Sequence, residues 1–283
     1  MNILVSGANG QLGQEFKNNI NKSDFDFYFA NENELDITNK DDVLKYITNN
    51  QINFILNCAA YTDVDGSELN KELALKVNSF GVKNLVEVCE EKKIKMIHFS
   101  TDYVYNSKSI NPIIEDSNID PINFYGFSKR EGEKFVENSL SDSIVIRTSW
   151  LYSNYEKNFV KTMIDKGKKG DDLYIVNDQF GCPTYAKDLV NVILEILNSN
   201  INPKKKIYNF SNEGYTNWYD FTKKIFQLKK IKCQIMPVGS EKYKTIAKRP
   251  KYSVTDKSRI KDIFNISVRN WEDALKEFIF NCK

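Results

Sequence analysis

The sequence predicts an α/β fold, a doubly wound parallel sheet with a smaller α/β lobe in its C-terminal half. Three observations predict it: short apolar runs that alternate with helical patterns, a glycine turn directly behind the first run, and polar residues gathered after each run. Continuous apolar runs this short suit strands covered on both faces. Strands separated by helices imply parallel crossovers and a doubly wound sheet.

Asn2–Ser6 reads as the first strand, and Gly7-Ala-Asn9-Gly10-Gln11-Leu12-Gly13 follows at once. Residues 14–20 then read as a helix, with Leu12, Phe16 and Ile20 on one stripe. Strand, glycine turn and helix in this order make the phosphate-cradling start of a Rossmann-like dinucleotide fold. Glycines let the backbone turn tightly and approach a pyrophosphate, whose charge sits at the helix N-terminus. Gly7, Asn9, Gly10, Gln11, Leu12 and Gly13 are the candidates for that role. The spacing is Gly-x-x-Gly-x-x-Gly, not Gly-x-Gly-x-x-Gly. A merely structural turn is the competing reading, and the position directly after an opening strand argues against it. Further strands are expected at 25–29, 53–57, 95–99 and 143–147. Helices are expected at 41–49 and 124–138, with one long helical pattern over 68–91 carried by Leu73, Val77, Phe80, Leu85 and Val88.

Ligands of such sheets bind beyond the carboxyl ends of the strands, so the residues there are the chemical candidates. Cys58-Ala59-Ala60-Tyr61-Thr62 supplies small residues that permit close approach by a flat ring. Ser100-Thr101-Asp102-Tyr103 supplies hydroxyls suited to a reacting carbonyl, and Thr148-Ser149-Trp150 can line a substrate pocket. Asp36, in Leu35-Asp36-Ile37 after the second strand, is a candidate for the adenine end of a cofactor. Each has a plainer reading as a loop cap or packing residue. Tyr125 and Lys129 share a helix face, being four residues apart. A nearby ammonium favours phenolate and lowers a tyrosine pKa, which tunes it for proton exchange with a substrate oxygen. The spacing alone is weak, since tyrosine and lysine are common in this chain.

Gly7-x-x-Gly10-x-x-Gly13, Asn57-Cys-Ala-Ala-Tyr-Thr-Asp-Val-Asp65, Ser100-Thr-Asp-Tyr-Val-Tyr105 and Tyr125-Gly-x-x-Lys129 occur in this order. Arg147-Thr-Ser-Trp150, Asn177-Asp-Gln-Phe-Gly-Cys-Pro-Thr184 and Arg249-Pro-x-x-Ser253 complete the series. Together these segments resemble the extended short-chain dehydrogenase/reductases and, more narrowly, the dTDP-4-dehydrorhamnose reductase family. The resemblance spans essentially the whole chain. It departs at Gly66, where the family usually has a non-glycine residue, and in the short Asn-rich stretch around Asn31 and Asn33. It implies hydride transfer from NADPH or NADH to C4 of a dTDP-4-keto-6-deoxyhexose. Tyr125 would donate the proton, Lys129 would lower its pKa and bond the nicotinamide ribose, and Thr101 would orient the carbonyl. By the same resemblance Asp36, Ile37, Ala59, Ala60 and Tyr61 join the glycine turn, Tyr125 and Lys129 as cofactor-binding residues. Thr62, Val64, Thr101, Asp102, Tyr103, Trp150, Gln179 and Arg249 take the sugar nucleotide, Arg249 by pairing its diphosphate. A surface arginine remains the alternative for Arg249, a core role for Trp150 and Tyr103. Trp218, Phe221 and Ile225 recur at helical spacing and read as core. The family associates Mg2+ with acidic residues at a dimer interface, and Glu15 matches one such position; without evident partners for it, no metal ligand is assigned.

A net charge of +2 is too balanced for a nucleic-acid protein. The lysine clusters at 204–206 and 229–232 read as solvated faces. Five cysteines without metal or redox spacing suit a reducing cytoplasm. Cys58 and the single histidine, His98, read as structural. The opening apolar run is too short for a secretory signal or membrane span. The expected protein is a cytoplasmic enzyme, with a homodimer as the expected assembly and neither nucleic acid nor membrane as partner. Its cofactor domain is expected at 1–149 and about 184–210, its substrate lobe at 150–183 and 211–283. A sugar-nucleotide 4-epimerase, a reductase of another nucleotide sugar, and a non-catalytic dinucleotide-binding subunit like that of methionine adenosyltransferase stay open. Asn31, Glu32 and Asn33 after the second strand decide nothing between NADPH and NADH.

Overall fold

The computed structural model describes residues 1–20, 24–106, 111–170, 172–199, 201 and 204–282. In chain order the first half carries β1 (Asn2–Ser6), α1 (Gln11–Asn19), β2 (Asp26–Ala30), α2 (Lys40–Asn49), β3 (Phe54–Asn57), α3 (Val64–Leu69), α4 (Lys71–Leu75) and α5 (Val82–Lys92). It continues with β4 (Lys95–Thr101), α6 (Phe124–Asn138) and β5 (Ile144–Thr148). The second half carries β6 (Leu151–Tyr152), α7 (Phe159–Lys169), β7 (Leu173–Val176), β8 (Phe180–Gly181), β9 (Thr184–Tyr185), α8 (Ala186–Asn198) and β10 (Ile207–Asn209). It ends with β11 (Thr216–Asn217), α9 (Trp218–Lys229), β12 (Ile235–Val238), α10 (Ser258–Phe264) and α11 (Trp271–Asn281).

Six parallel strands form the main sheet in the order β2-β1-β3-β4-β5-β10. The chain leaves β1 to one side for β2 and returns to the other side for β3. This reversal of winding opens a crevice at the carboxyl ends of β1 and β3, where such folds bind ligands. Alternate side chains of each strand reach opposite faces. Ile3 and Val5 join Phe16, Leu56, Ile97, Ile146, Leu189 and Ile193 in one core, under α1 and α8. Leu4 joins Val43, Ile47, Ile55, Leu85, Val88, Met96 and Val145 in the other, under α2 and α5. The absence of polar alternation in the strands is thereby explained.

The 68–91 pattern is not one helix. Asn70 leaves the helical region (φ −123°, ψ 58°) between α3 and α4, and a π-helical turn at Lys76–Gly81 precedes α5. The wider turn accompanies an inward-facing, fully buried Asn78. Its amide bonds the backbone N–H and carbonyl of Tyr61 at 2.8 and 2.9 Å, and the Ser128 hydroxyl at 2.9 Å. A helical pattern drawn from apolar residues cannot register a polar residue buried for that purpose.

A third core, rich in aromatic residues, gathers Tyr152, Val160, Met163, Phe221, Ile225, Phe226, Trp271, Leu275 and Phe278 from α7, α9, α11 and the short strands. The parallel pair β7 and β12 lies beside it. No helix among the described residues is long and apolar enough to cross a membrane.

Candidate active site

At the end of β1 the chain turns at Gly7, whose φ of +66° side chains rarely adopt. A Cβ there would lie 2.6 Å from the Cα and N of Ala59, and one at Gly13 would lie 2.5 Å from the carbonyl oxygen of Gly7. Both positions exclude a side chain because β1, α1 and the loop after β3 close on one another. Gly10 is different: it is exposed, and its nearest neighbour would be 3.4 Å away. It caps α1 without any side-chain hydrogen bond. The first-turn N–H groups of α1 are therefore free of a side-chain cap and suited to an anion. Leu12 is buried in the core, so only its backbone can take part. Gln11 accepts hydrogen bonds from Ser153 Oγ and Asn158 Nδ2 at 3.2 and 3.1 Å, tying the turn to the second half. Asn9, Gln14, Lys17, Asn31 and Glu34 line a cavity of about 370 Å³ beside it. Asp36 is exposed and closes its own turn through Thr38, while Ile37 is buried in the second core. Ala59, Ala60 and Tyr61 are half-buried after β3.

α6 begins with Asn123 accepting from Gly126 N at 2.8 Å, and Glu68 accepting from Phe124 N at 2.9 Å. A buried pair anchors the same helix to β5: Arg147 Nε and Nη2 donate to the two carboxylate oxygens of Glu133 at 2.9 and 2.7 Å. This placement brings Tyr125 to the carboxyl end of β4, close enough to the Thr101 hydroxyl for it to favour the phenolate. Tyr103 meets the Tyr125 ring edge-on at 6.1 Å. Asp102 is buried, bonded by Thr101 Oγ1 at 3.2 Å, and burial pushes its carboxyl up to about 7 against the opposing hydrogen bonds of Ser253 and Thr101.

Lys129 departs from the expectation that it lowers the Tyr125 pKa. Its Nζ turns inward, donating to the Phe99 carbonyl at 2.7 Å and lying 3.4 Å from His98 Nε2. Burial raises Tyr125 well above the ordinary phenol, with Thr101 opposing, and lowers Lys129 to about 8. Spacing of i and i+4 fixes the helix face but not which way a long side chain bends. His98 ends a buried polar chain: Ser6 Oγ and Ala59 N donate to Asn57 Oδ1, and Asn57 Nδ2 lies 2.9 Å from His98 Nδ1.

Toward the second half, Arg249 Nη1 and Nη2 pair bidentately with the carboxylate of Asp65 at 2.7 and 2.8 Å, and Asp65 also accepts Ala247 N. The arginine is thus engaged by α3, and the carboxylate of Asp65 is held below its usual pKa by it. Arg249 also lies close enough to Tyr103 for their charges to interact. Trp150, with a left-handed φ of 44°, stacks on Trp218 at 3.4 Å and 8°. Trp218 Nε1 donates to Gln179 Oε1 at 3.1 Å, and Gln179 Nε2 to Ser240 Oγ at 3.0 Å. Phe221 and Ile225 are core as expected, whereas Trp218 is half-buried and belongs to this stack. Thr62 is exposed and Val64 opens α3. Gly66, the departure from the family pattern, lies under two side-chain tips: a Cβ would meet Asp63 Oδ2 at 2.5 Å and Tyr61 Oη at 2.6 Å, so those side chains would have to move.

Sequence reading gave Asn57, Asn78, Asp65 and Ser253 no role of their own, and took His98 as structural and Trp218 as core. The usable signal was polarity inside apolar patterns, because a buried polar group requires a partner. Mg2+ at Glu15 finds no support. That side chain is buried and bonded by Asn19, and no group of three or more metal-ligating residues occurs among the described residues.

The family model described as RmlD substrate binding domain matches residues 1–283. A dTDP-4-dehydrorhamnose reductase from Aggregatibacter actinomycetemcomitans is 37% identical, with 97% of each chain covered. The structure of a dTDP-4-dehydrorhamnose reductase from Bacillus anthracis in complex with NADP is similar at a TM-score of 0.94, 35% identity and 99% coverage of both chains. A Clostridium acetobutylicum dTDP-4-dehydrorhamnose reductase structure gives 0.94, 37% and 99% of both. Agreement at this level, from the glycine turn to α11, means that the chain belongs to the dTDP-4-dehydrorhamnose reductase family.

Proposed function

We propose that this chain reduces the C4 keto group of dTDP-4-dehydro-6-deoxy-L-mannose to dTDP-L-rhamnose, using NADPH or NADH. The observation that carries the chemistry is the juxtaposition of Thr101 and Tyr125 at the end of β4, one strand removed from the uncapped N-terminus of α1. The glycine turn fits a dinucleotide, since Gly7 and Gly13 close the walls and Gly10 leaves open space at a helix N-terminus. When bound, the reduced nicotinamide supplies the hydride to C4. Tyr125 gives its proton to the carbonyl oxygen as it becomes an alkoxide, so ketone and reductant become alcohol and oxidised cofactor. Thr101 holds that oxygen by hydrogen bond, an interaction that strengthens as charge develops. Lys129 leaves the Phe99 carbonyl for the nicotinamide ribose and there stabilises the tyrosinate.

In this reading Gly7, Asn9, Gly10, Gln11, Leu12 and Gly13 cradle the pyrophosphate, Asp36 and Ile37 bound the adenine end, and Ala59, Ala60 and Tyr61 flank the nicotinamide. Thr62, Val64, Asp102, Tyr103, Trp150, Gln179 and Arg249 take the sugar nucleotide. The two cores under the main sheet carry the cofactor, and the aromatic core carries the sugar-nucleotide lobe. Absorbance of the reduced nicotinamide, followed with dTDP-4-dehydro-6-deoxy-L-mannose and each cofactor, tests the proposal. One reduced cofactor consumed per sugar is expected. Conversion without consumption would mean an epimerase, and no consumption with either cofactor would sink the reductase reading.

A further inference from the structure

The orientation of one buried amide sets the protons around Lys129. Ala59 N–H can only donate, and it donates to Asn57 Oδ1 at 3.2 Å. Asn57 Nδ2 is thereby turned toward His98 Nδ1 at 2.9 Å, and this NH2 group can only donate. His98 Nδ1 must then be the acceptor. Burial drives the ring far toward its neutral form, so its single proton sits on Nε2, facing Lys129 Nζ at 3.4 Å. An ammonium there would oppose one donor with another. A neutral amine fits: it donates to the Phe99 carbonyl at 2.7 Å and accepts from His98.

We infer that His98 is a positioning residue that favours Lys129 as a neutral amine, and that a neutral Lys129 takes up a proton from solvent when cofactor binding draws it away from the ring. The other groups facing Lys129 oppose this only weakly. Glu133, one turn along α6, is already paired with Arg147 and Arg130. The Cys58 thiol is held protonated by burial. Tyr125 is raised well above the ordinary phenol. Glu133 still favours the ammonium, but burial outweighs it and lowers the lysine to about 8, so the neutral amine is the stored form on the alkaline side of that value.

The charging step rests on the proposed place of Lys129 at the nicotinamide ribose; the tautomer does not. His98 is the only histidine in the chain, so its ring 15N signals are unambiguous in a long-range 15N–1H spectrum of the intact protein. A neutral ring protonated at Nε2 is expected, unchanged between neutral and alkaline pH. A ring protonated at Nδ1, or at both nitrogens, would overturn the inference. Calorimetry of NADPH binding in buffers of different ionisation enthalpy then counts protons. Uptake should approach about one per site on the alkaline side of the free lysine pKa and vanish well below it. Asn57→Asp inverts the relay, since a carboxylate accepts from Ala59 N and from His98 Nδ1–H and leaves the Nε2 lone pair for an ammonium. In this variant the ring should switch to the Nδ1 tautomer and alkaline uptake should disappear. No uptake in the parent, or equal uptake in the variant, would also overturn it. The ring signal of the parent decides the tautomer even if the variant fails to fold, and no readout depends on turnover with sugar.

Discussion

At the proposed cofactor end of the site, between α1 and the loop after β3, the walls are backbone: Gly7 against Ala59, Gly13 against Gly7, and an uncapped helix terminus. At the proposed sugar end the walls are side chains drawn from distant segments: Arg249 on Asp65, Trp150 on Trp218, Trp218 on Gln179. Backbone walls tolerate almost no substitution at the points of closest approach, because nothing there can rotate away. Side-chain walls adapt, and each pair contributes modestly. The proposed reacting centre, Thr101 and Tyr125, adjoins Tyr103, whose ring meets that of Tyr125 edge-on.

Substitutions can break or sharpen this contrast. Tyr125→Phe acts between the two ends and should have the largest effect, a loss of at least about 100-fold in kcat. Folding and NADPH affinity should be preserved, as read by steady-state assay, thermal melt and cofactor titration. A rate within threefold of the parent would remove Tyr125 as the acid. At the cofactor end, Gly13→Ala forces a Cβ onto the Gly7 carbonyl and should cost about 1–3 kcal/mol of stability, together with most NADPH binding. Gly10→Ala meets nothing closer than 3.4 Å and should fold like the parent. Equal damage from both, in denaturant titration, would show that closeness of the backbone is not what matters there.

At the sugar end, Asp65→Ala frees Arg249 from a partly exposed pair. Solvent screening limits the effect to about 1 kcal/mol, or roughly a fivefold rise in KM for the sugar nucleotide, with NADPH affinity unchanged. A change in NADPH affinity instead would place Asp65 and Arg249 with the cofactor. Asp102 gives a pH signature. Its folded pKa, about 7, lies above the ordinary carboxyl value, so its contribution to stability is full below the unfolded pKa and is lost as pH rises through about 7. Asp102→Asn should flatten the fall in melting temperature across that window. An unchanged slope would mean that the carboxyl does not titrate there.

Much of this was legible beforehand. β1, the glycine turn and α1 follow from residues within one short stretch, and α6 spans Phe124–Asn138 as the pattern predicts. Tyr125 and Thr101 do meet. Less legible was the region from α3 to α5, where a buried Asn78 coincides with a π turn in what reads as one helix. The bend of Lys129 toward Phe99 was not legible either, nor the role of His98. Both depend on Asn57 and Ala59, which lie on a different strand and its loop.

The sequence by itself determined the alternation of strands and helices, the glycine turn and the candidates for the reaction. Periodicity, steric freedom and functional groups are properties of a few neighbouring residues. Only the tertiary structure decided which partners those groups meet: Arg249 with Asp65, 184 residues apart, Trp150 with Trp218, and Lys129 with His98. Such pairings need the sheet order and the packing of α6 against β5, and charge state inside a buried site follows from partners and desolvation. A residue's type names its chemistry, while its neighbours in space set its protons.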